Sequence, residues 1–90
     1  MKTLAPAVQV IEVANEGFDA LLDQVITLFC ANYIYTGKLV GNNDEFVKLS
    51  SASIVYETGP LFDTQWKDAQ PLPHDVYIQK AGIESFMVLK

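Results

Sequence analysis

Apolar and polar residues change their period twice along this 90-residue chain. Between Ala7 and Val13, the apolar positions Val8, Val10, Ile11 and Val13 alternate loosely and predict a short edge strand. Phe18, Leu21 and Leu22 then fall at i, i+3 and i+4, the spacing of one helical stripe. Asn15 is placed to cap that helix, with Glu16 and Asp19 near the positive end of its dipole. Asp23-Gln24 closes it. A helix of about two turns does not stand alone in water, so its apolar stripe must lie on something.

From Val25 the pattern belongs to strands. Val25 to Ala31 is β-branched, aromatic and apolar, which predicts burial over most of its length. Asn32 tolerates a left-handed turn and lets the chain fold back into a second strand, Tyr33 to Val40, with Gly37 inside it. A glycine within a strand marks a bulge, a sharp bend or a close backbone approach. Gly41-Asn42-Asn43-Asp44 is a turn, and Phe46 to Glu57 a long third strand softened around Ser50-Ser51. Thr58 to Asp75 holds Gly59-Pro60, Pro71 and Pro73 and shows no sustained period, so it is read as a long loop, clamped by Phe62 and Trp66. Val76 to Lys80 is a fourth strand, Ala81-Gly82 a tight turn, and Ile83 to Leu89 a fifth. One short helix followed by five strands predicts a mainly β, strongly bent antiparallel barrel.

The size suits one domain, 1–90, divided into an N-terminal extension (1–14), the helix (15–23), a first group of strands (24–57), the loop (58–75) and a last pair of strands (76–89). Charge narrows its partners. Eleven acidic residues face six basic ones for a net charge of -5, and every basic residue is lysine. An acidic surface without guanidinium groups argues against DNA coating and against anionic membranes, while leaving room for a local basic site. A single cysteine, Cys30, excludes an internal disulfide framework and multi-cysteine zinc clusters, and reads as a structural thiol. No apolar run approaches the roughly 20 residues of a membrane span, and the amino terminus lacks a signal-peptide pattern, so the expected location is the cytoplasm. Catalytic templates fail. Tyr35-Thr36-Gly37-Lys38 lacks the glycine-rich cradle of a phosphate loop, and His74 has no ligand partners nearby in sequence. No enzymatic activity, cofactor or metal is expected.

The strand residues resemble the Sm-like (LSm) family. Val25, Thr27 and Phe29 fit the alternating positions of that family's first motif, Asn32 its turn, and Tyr35 and Gly37 its aromatic and glycine. Leu39, Gly41 and Asp44 to Leu49 complete it, with one extra residue between Gly41 and Asp44. Ile78-Gln79-Lys80-Ala81-Gly82-Ile83 looks like the second motif. The resemblance covers roughly Phe18 to Phe86 and implies an SH3-like (Sm-fold) barrel, assembly into a closed homo-oligomeric ring, and binding of short single-stranded RNA at the inner rim.

What it implies for single residues is uneven. Phe46 stands where the family stacks a base, Lys48 where it commonly has an asparagine, and Lys80 where a basic residue supports the nucleotide, though Ala81 replaces the histidine that follows in the bacterial branch. Asp44 and Asn32 complete the implied RNA-binding set. Each has a plainer reading: Phe46 as core, Lys48 and Lys80 as solvated strand-end lysines, Asp44 as a backbone cap of its turn. Val76, Tyr77, Ile78 and Phe86, Met87, Val88 are the implied pairing edges between subunits. The acidic balance and the aromatic loop support a second class of function, a ring-shaped scaffold or small-ligand binder without RNA.

Overall fold

The computed structural model describes residues 14–90. The expected strand at Ala7–Val13 lies outside them. The described chain is mainly β, with strands β1 (Val25–Cys30), β2 (Ile34–Asn42), β3 (Phe46–Glu57), β4 (Asp68–Pro71), β5 (Val76–Gln79) and β6 (Ile83–Met87) in one antiparallel sheet.

The expected helix at Asn15–Asp23 does not form. Asn15 and Gly17 take positive φ angles of 62° and 94°, Asp23 one of 74°, and only a 3-10 turn, Asp19–Leu21, stands between them. Asn15 therefore caps nothing. The physical reason lies in the next two residues: Asp23 N–H donates to Leu39 O at 2.7 Å, and Leu39 N–H donates to Gln24 O at 2.9 Å. Backbone pairing with β2 outcompetes the last turn of a helix that had little stability of its own. The apolar stripe still finds its support. Phe18 and Leu21 pack against the core, Phe18 stacks on Phe86 with centroids 4.1 Å apart, and Leu22 is left exposed.

The sheet follows the order β4-β3-β2-β1-β6, with β5 paired to β3 off that path. It is not closed. The expected barrel of five strands is thus an open sheet of six, because β5 and β6 do not meet as a hairpin. A 3-10 turn, Lys80–Gly82, carries the chain from β3's side of the sheet to β1's side. The sixth strand is β4, which lies inside the segment expected to be an irregular loop. There, Leu72 N–H donates to Ala52 O at 2.7 Å and the Leu72 side chain joins the core.

β3 organises the fold. Its outer edge serves two partners in turn: Phe46–Leu49 pairs with β5, and Ser53–Glu57 pairs with β4. Between the halves, Lys38↔Ser50 is followed by Thr36↔Ser53, so three steps on β3 match two on β2. This bulge takes up Ser51, at φ 48°. It breaks the alternation of buried positions: Val47 and Leu49 are two apart before it, whereas the next buried residue, Ala52, follows three positions later and Val55 three after that. Gly37 lies opposite, where an added Cβ would meet Ala52 Cα and Ser50 O, both at 3.0 Å. The close approach that a strand glycine predicts is therefore present. Ile26 and Leu28 of β1, Leu39 of β2 and Ile78 of β5 complete the core.

Candidate nucleic-acid interface

Alternation along the β3–β5 ladder decides the orientation of the candidate residues. Val47↔Ile78 is a cross-strand pair with both side chains buried, so the neighbouring pairs Phe46↔Gln79 and Lys48↔Tyr77 face the other way. Phe46 is half-buried and outside the core, which removes its plainer reading. Its ring meets Tyr77 edge-on, 5.2 Å between centroids at 89°. Lys48 Nζ sits 5.3 Å from the Tyr77 centroid and 3.7 Å from Asp75 Oδ2. The result is an aromatic patch on β3 and β5 with one lysine, already neutralised by a carboxylate.

Lys80 stands apart from that lysine. Its backbone N–H donates to Glu45 O at 2.9 Å, which ties the 3-10 turn to the β2–β3 turn. Its ammonium lies 5.3 Å from the Phe18 ring centroid. Among the described residues, Lys38, Lys48 and Lys67 are engaged by Asp23, Asp75 and Glu57, whereas Lys80 is in no ion pair. Lys80 is therefore the cation of this rim with no carboxylate to displace.

Asp44 does not cap the β2–β3 turn. Its neighbour Asn43 does, through Oδ1, which accepts from the N–H of Glu45 at 2.8 Å and of Phe46 at 2.9 Å. A side-chain amide oxygen two and three residues before those donors has the reach of an Asx turn. The Asp44 side chain is left exposed at the tip.

Asn32 lies elsewhere, on a cleft of about 350 Å³ where the sheet fails to close. Cys30, Tyr33, Tyr35, Tyr77 and Gln79 line it as well, and Ala31 N–H donates to Gly82 O at 3.0 Å beside it. Burial pushes the Cys30 thiol upward, and the Glu84 carboxylate adds to that, so the sulfur keeps its proton and is a poor nucleophile. Burial likewise raises Tyr35, with Cys30, Tyr33 and Tyr56 contributing, which leaves a neutral phenol able to donate and accept.

Tyr77 belongs to both places. Read from sequence as an edge residue, it joins the Phe46–Lys48 patch to the tyrosine-lined cleft. Its alternation with buried Ile78 was the available signal. Of the implied edge residues, Ile78 is buried in its own core and Phe86 is stacked on Phe18, while Tyr77, Met87 and Val88 are exposed. Phe62 clamps nothing, being 92% exposed, whereas Trp66 does hold the loop through Lys90. His74 is exposed, and the described residues contain no cluster of metal-ligating side chains and no helix long and apolar enough to cross a membrane. Compared with family models, with curated proteins and with solved structures, the chain matches none.

Proposed function

We propose that this chain is an Sm-like subunit, a strongly bent SH3-like sheet that closes into a homo-oligomeric ring and binds short single-stranded RNA. The observation that carries the reading is the open sheet. β5 and β6 each pair on one edge among the described residues, and exposed Tyr77, Met87 and Val88 lie along or beside their other edges. Unpaired strand edges of this kind are stable when another chain covers them, and a head-to-tail contact between unlike edges closes into a ring. In that assembly β6 of one subunit extends β5 of the next. Ile78 and Phe86 contribute backbone there, because their side chains are used within the subunit.

RNA then meets the rim that carries Lys80, the Asn43–Phe46 turn and the Tyr77 ring. Phe46 and Tyr77 offer π-faces to bases, and Lys80 offers charge to a phosphate. Asp44 and Glu45 keep that charge local, so binding is weak and salt-sensitive. The proposal places the protein in the cytoplasm, with RNA rather than DNA as its nucleic acid. Native mass spectrometry tests the ring, which requires a multiple of the 10.0 kDa chain. Fluorescence anisotropy with uridine- and adenine-rich oligonucleotides at low salt tests the ligand. A single-chain mass sinks the assembly, and unchanged anisotropy sinks the RNA.

The Lys48–Asp75 ion pair favours a second reading, a ring-shaped scaffold or small-ligand binder without RNA, since it removes one of the two cations that the first reading uses. A ring that ignores both oligonucleotides but retains a small molecule or a protein partner on purification establishes it.

A further inference from the structure

Between β3 and β4, the chain turns three backbone carbonyls toward one point. Thr58 O, Pro60 O and Gln65 O accept from Lys90 Nζ at 2.9, 2.9 and 2.8 Å. A lysine ammonium has three N–H donors and no acceptor, so the set matches it bond for bond. The indole of Trp66, the chain's single tryptophan, lies 4.5 Å from the same nitrogen, within cation–π range. No carboxylate forms an ion pair with Lys90 among the described residues.

The rest of the loop has little to hold it. Asp63 N–H donates to Pro60 O at 3.0 Å, Lys67 N–H reaches Thr58 O only at 3.4 Å, and Leu61 and Phe62 are exposed. Converging carbonyls repel one another, and a cation at their centre offsets that repulsion.

We propose that the Thr58–Trp66 loop is a receptor for a primary ammonium group, with Lys90 as its resident ligand, and that occupancy of the receptor orders the loop. The ligand class follows from the donors. A primary alkylammonium supplies three N–H groups from one nitrogen; a quaternary ammonium supplies none, and a planar guanidinium cannot aim three at one centre. None of its donors or acceptors belongs to the RNA rim.

Hydrogen exchange on the full chain, with Trp66 emission as a second readout, tests it. Lys90→Met keeps the length of the side chain and removes the charge. The amides of residues 58–67 should then exchange about tenfold faster or more, with a shift in Trp66 emission, while β1–β3 amides keep their protection. In Lys90→Ala, protonated n-butylamine should restore loop protection and emission, and tetramethylammonium at equal concentration should not. Undiminished protection in Lys90→Met overturns the proposal, as does rescue by both cations or by neither. A measurement on the unsubstituted chain guards against misfolded variants: the Lys90 ammonium should show slowed proton exchange and a ring-current shift by ¹⁵N NMR. A signal like that of free lysine overturns it too.

Discussion

The two halves of β3 each lead to a lysine beside an aromatic ring, and the two lysines are solvated in opposite ways. In the first half, Lys48 has Tyr77 at 5.3 Å and a carboxylate at 3.7 Å. Beyond the second half, Lys90 has Trp66 at 4.5 Å and three carbonyls within 2.9 Å. An exposed ion pair is worth about 0–1 kcal/mol and weakens with salt, so a ligand anion exchanges readily with Asp75. An ammonium whose donors are all taken by backbone has nothing left to offer a ligand. One contact type thus serves recognition in the first place and architecture in the second, and the count of satisfied donors separates them. Lys80, over Phe18 and without an acid, lies further along the recognition end of that scale.

The largest expected effect removes the bend that keeps the halves distinct. Gly37→Ala drives a methyl into Ala52 Cα and Ser50 O, backbone atoms that cannot swing aside, and should cost about 1–3 kcal/mol in urea unfolding. Unchanged stability would mean that the bulge at Ser51 is softer than its contacts imply. Next in size, Phe46→Ala should weaken RNA binding by about 1–3 kcal/mol per stacked base, with no change in exchange protection of the Lys90 loop. Loss in both regions would show that they are coupled. Lys80→Ala should flatten the slope of log affinity against log salt by about 0.7 if Lys80 neutralises one phosphate, and Lys48→Ala by less, because Asp75 already neutralises Lys48. Equal slopes for the two variants would erase the distinction drawn between them. Asp75→Asn should release Lys48 and tighten RNA binding at low salt by less than about 1 kcal/mol, a gain that disappears at high salt. The smallest effect concerns the cleft. Cys30 holds its proton to higher pH in the folded chain than in the unfolded one, so the unfolded chain ionises first and stability falls as pH rises past the ordinary thiol value. Iodoacetamide labelling of the native protein should accordingly stay slow at neutral pH and accelerate only in alkali. Fast labelling at neutral pH would contradict the upward shift that partial burial gives the thiol.

Strand positions were legible because period-2 burial is a local property. β1, β3, β5 and β6 begin where composition turns β-branched and aromatic, and Gly37 announced a close approach that the backbone does make. The helix was misread for an instructive reason: Phe18, Leu21 and Leu22 have helical spacing, but spacing does not report that Asp23 and Gln24 are claimed by Leu39 of β2. The candidate interface was half legible. Phe46 and Lys80 could be named from their motif places, whereas the ion pair that neutralises Lys48 and the joining role of Tyr77 depend on which strands become neighbours. Asp44 and Asn43 differ by one position, and only the turn geometry selects which carbonyl group caps it.

By itself, then, the sequence determined a small acidic β protein and the approximate bounds of most of its strands, since these follow from composition and from a side-chain period of two. Tertiary structure decided that the sheet stays open, that β3 bulges at Ser51, and that Lys90 ends in a cage of carbonyls from Thr58, Pro60 and Gln65. The Lys90 contacts alone join residues 25 to 32 positions apart, and no local pattern encodes a pairing whose partners are set by the arrangement of the whole sheet.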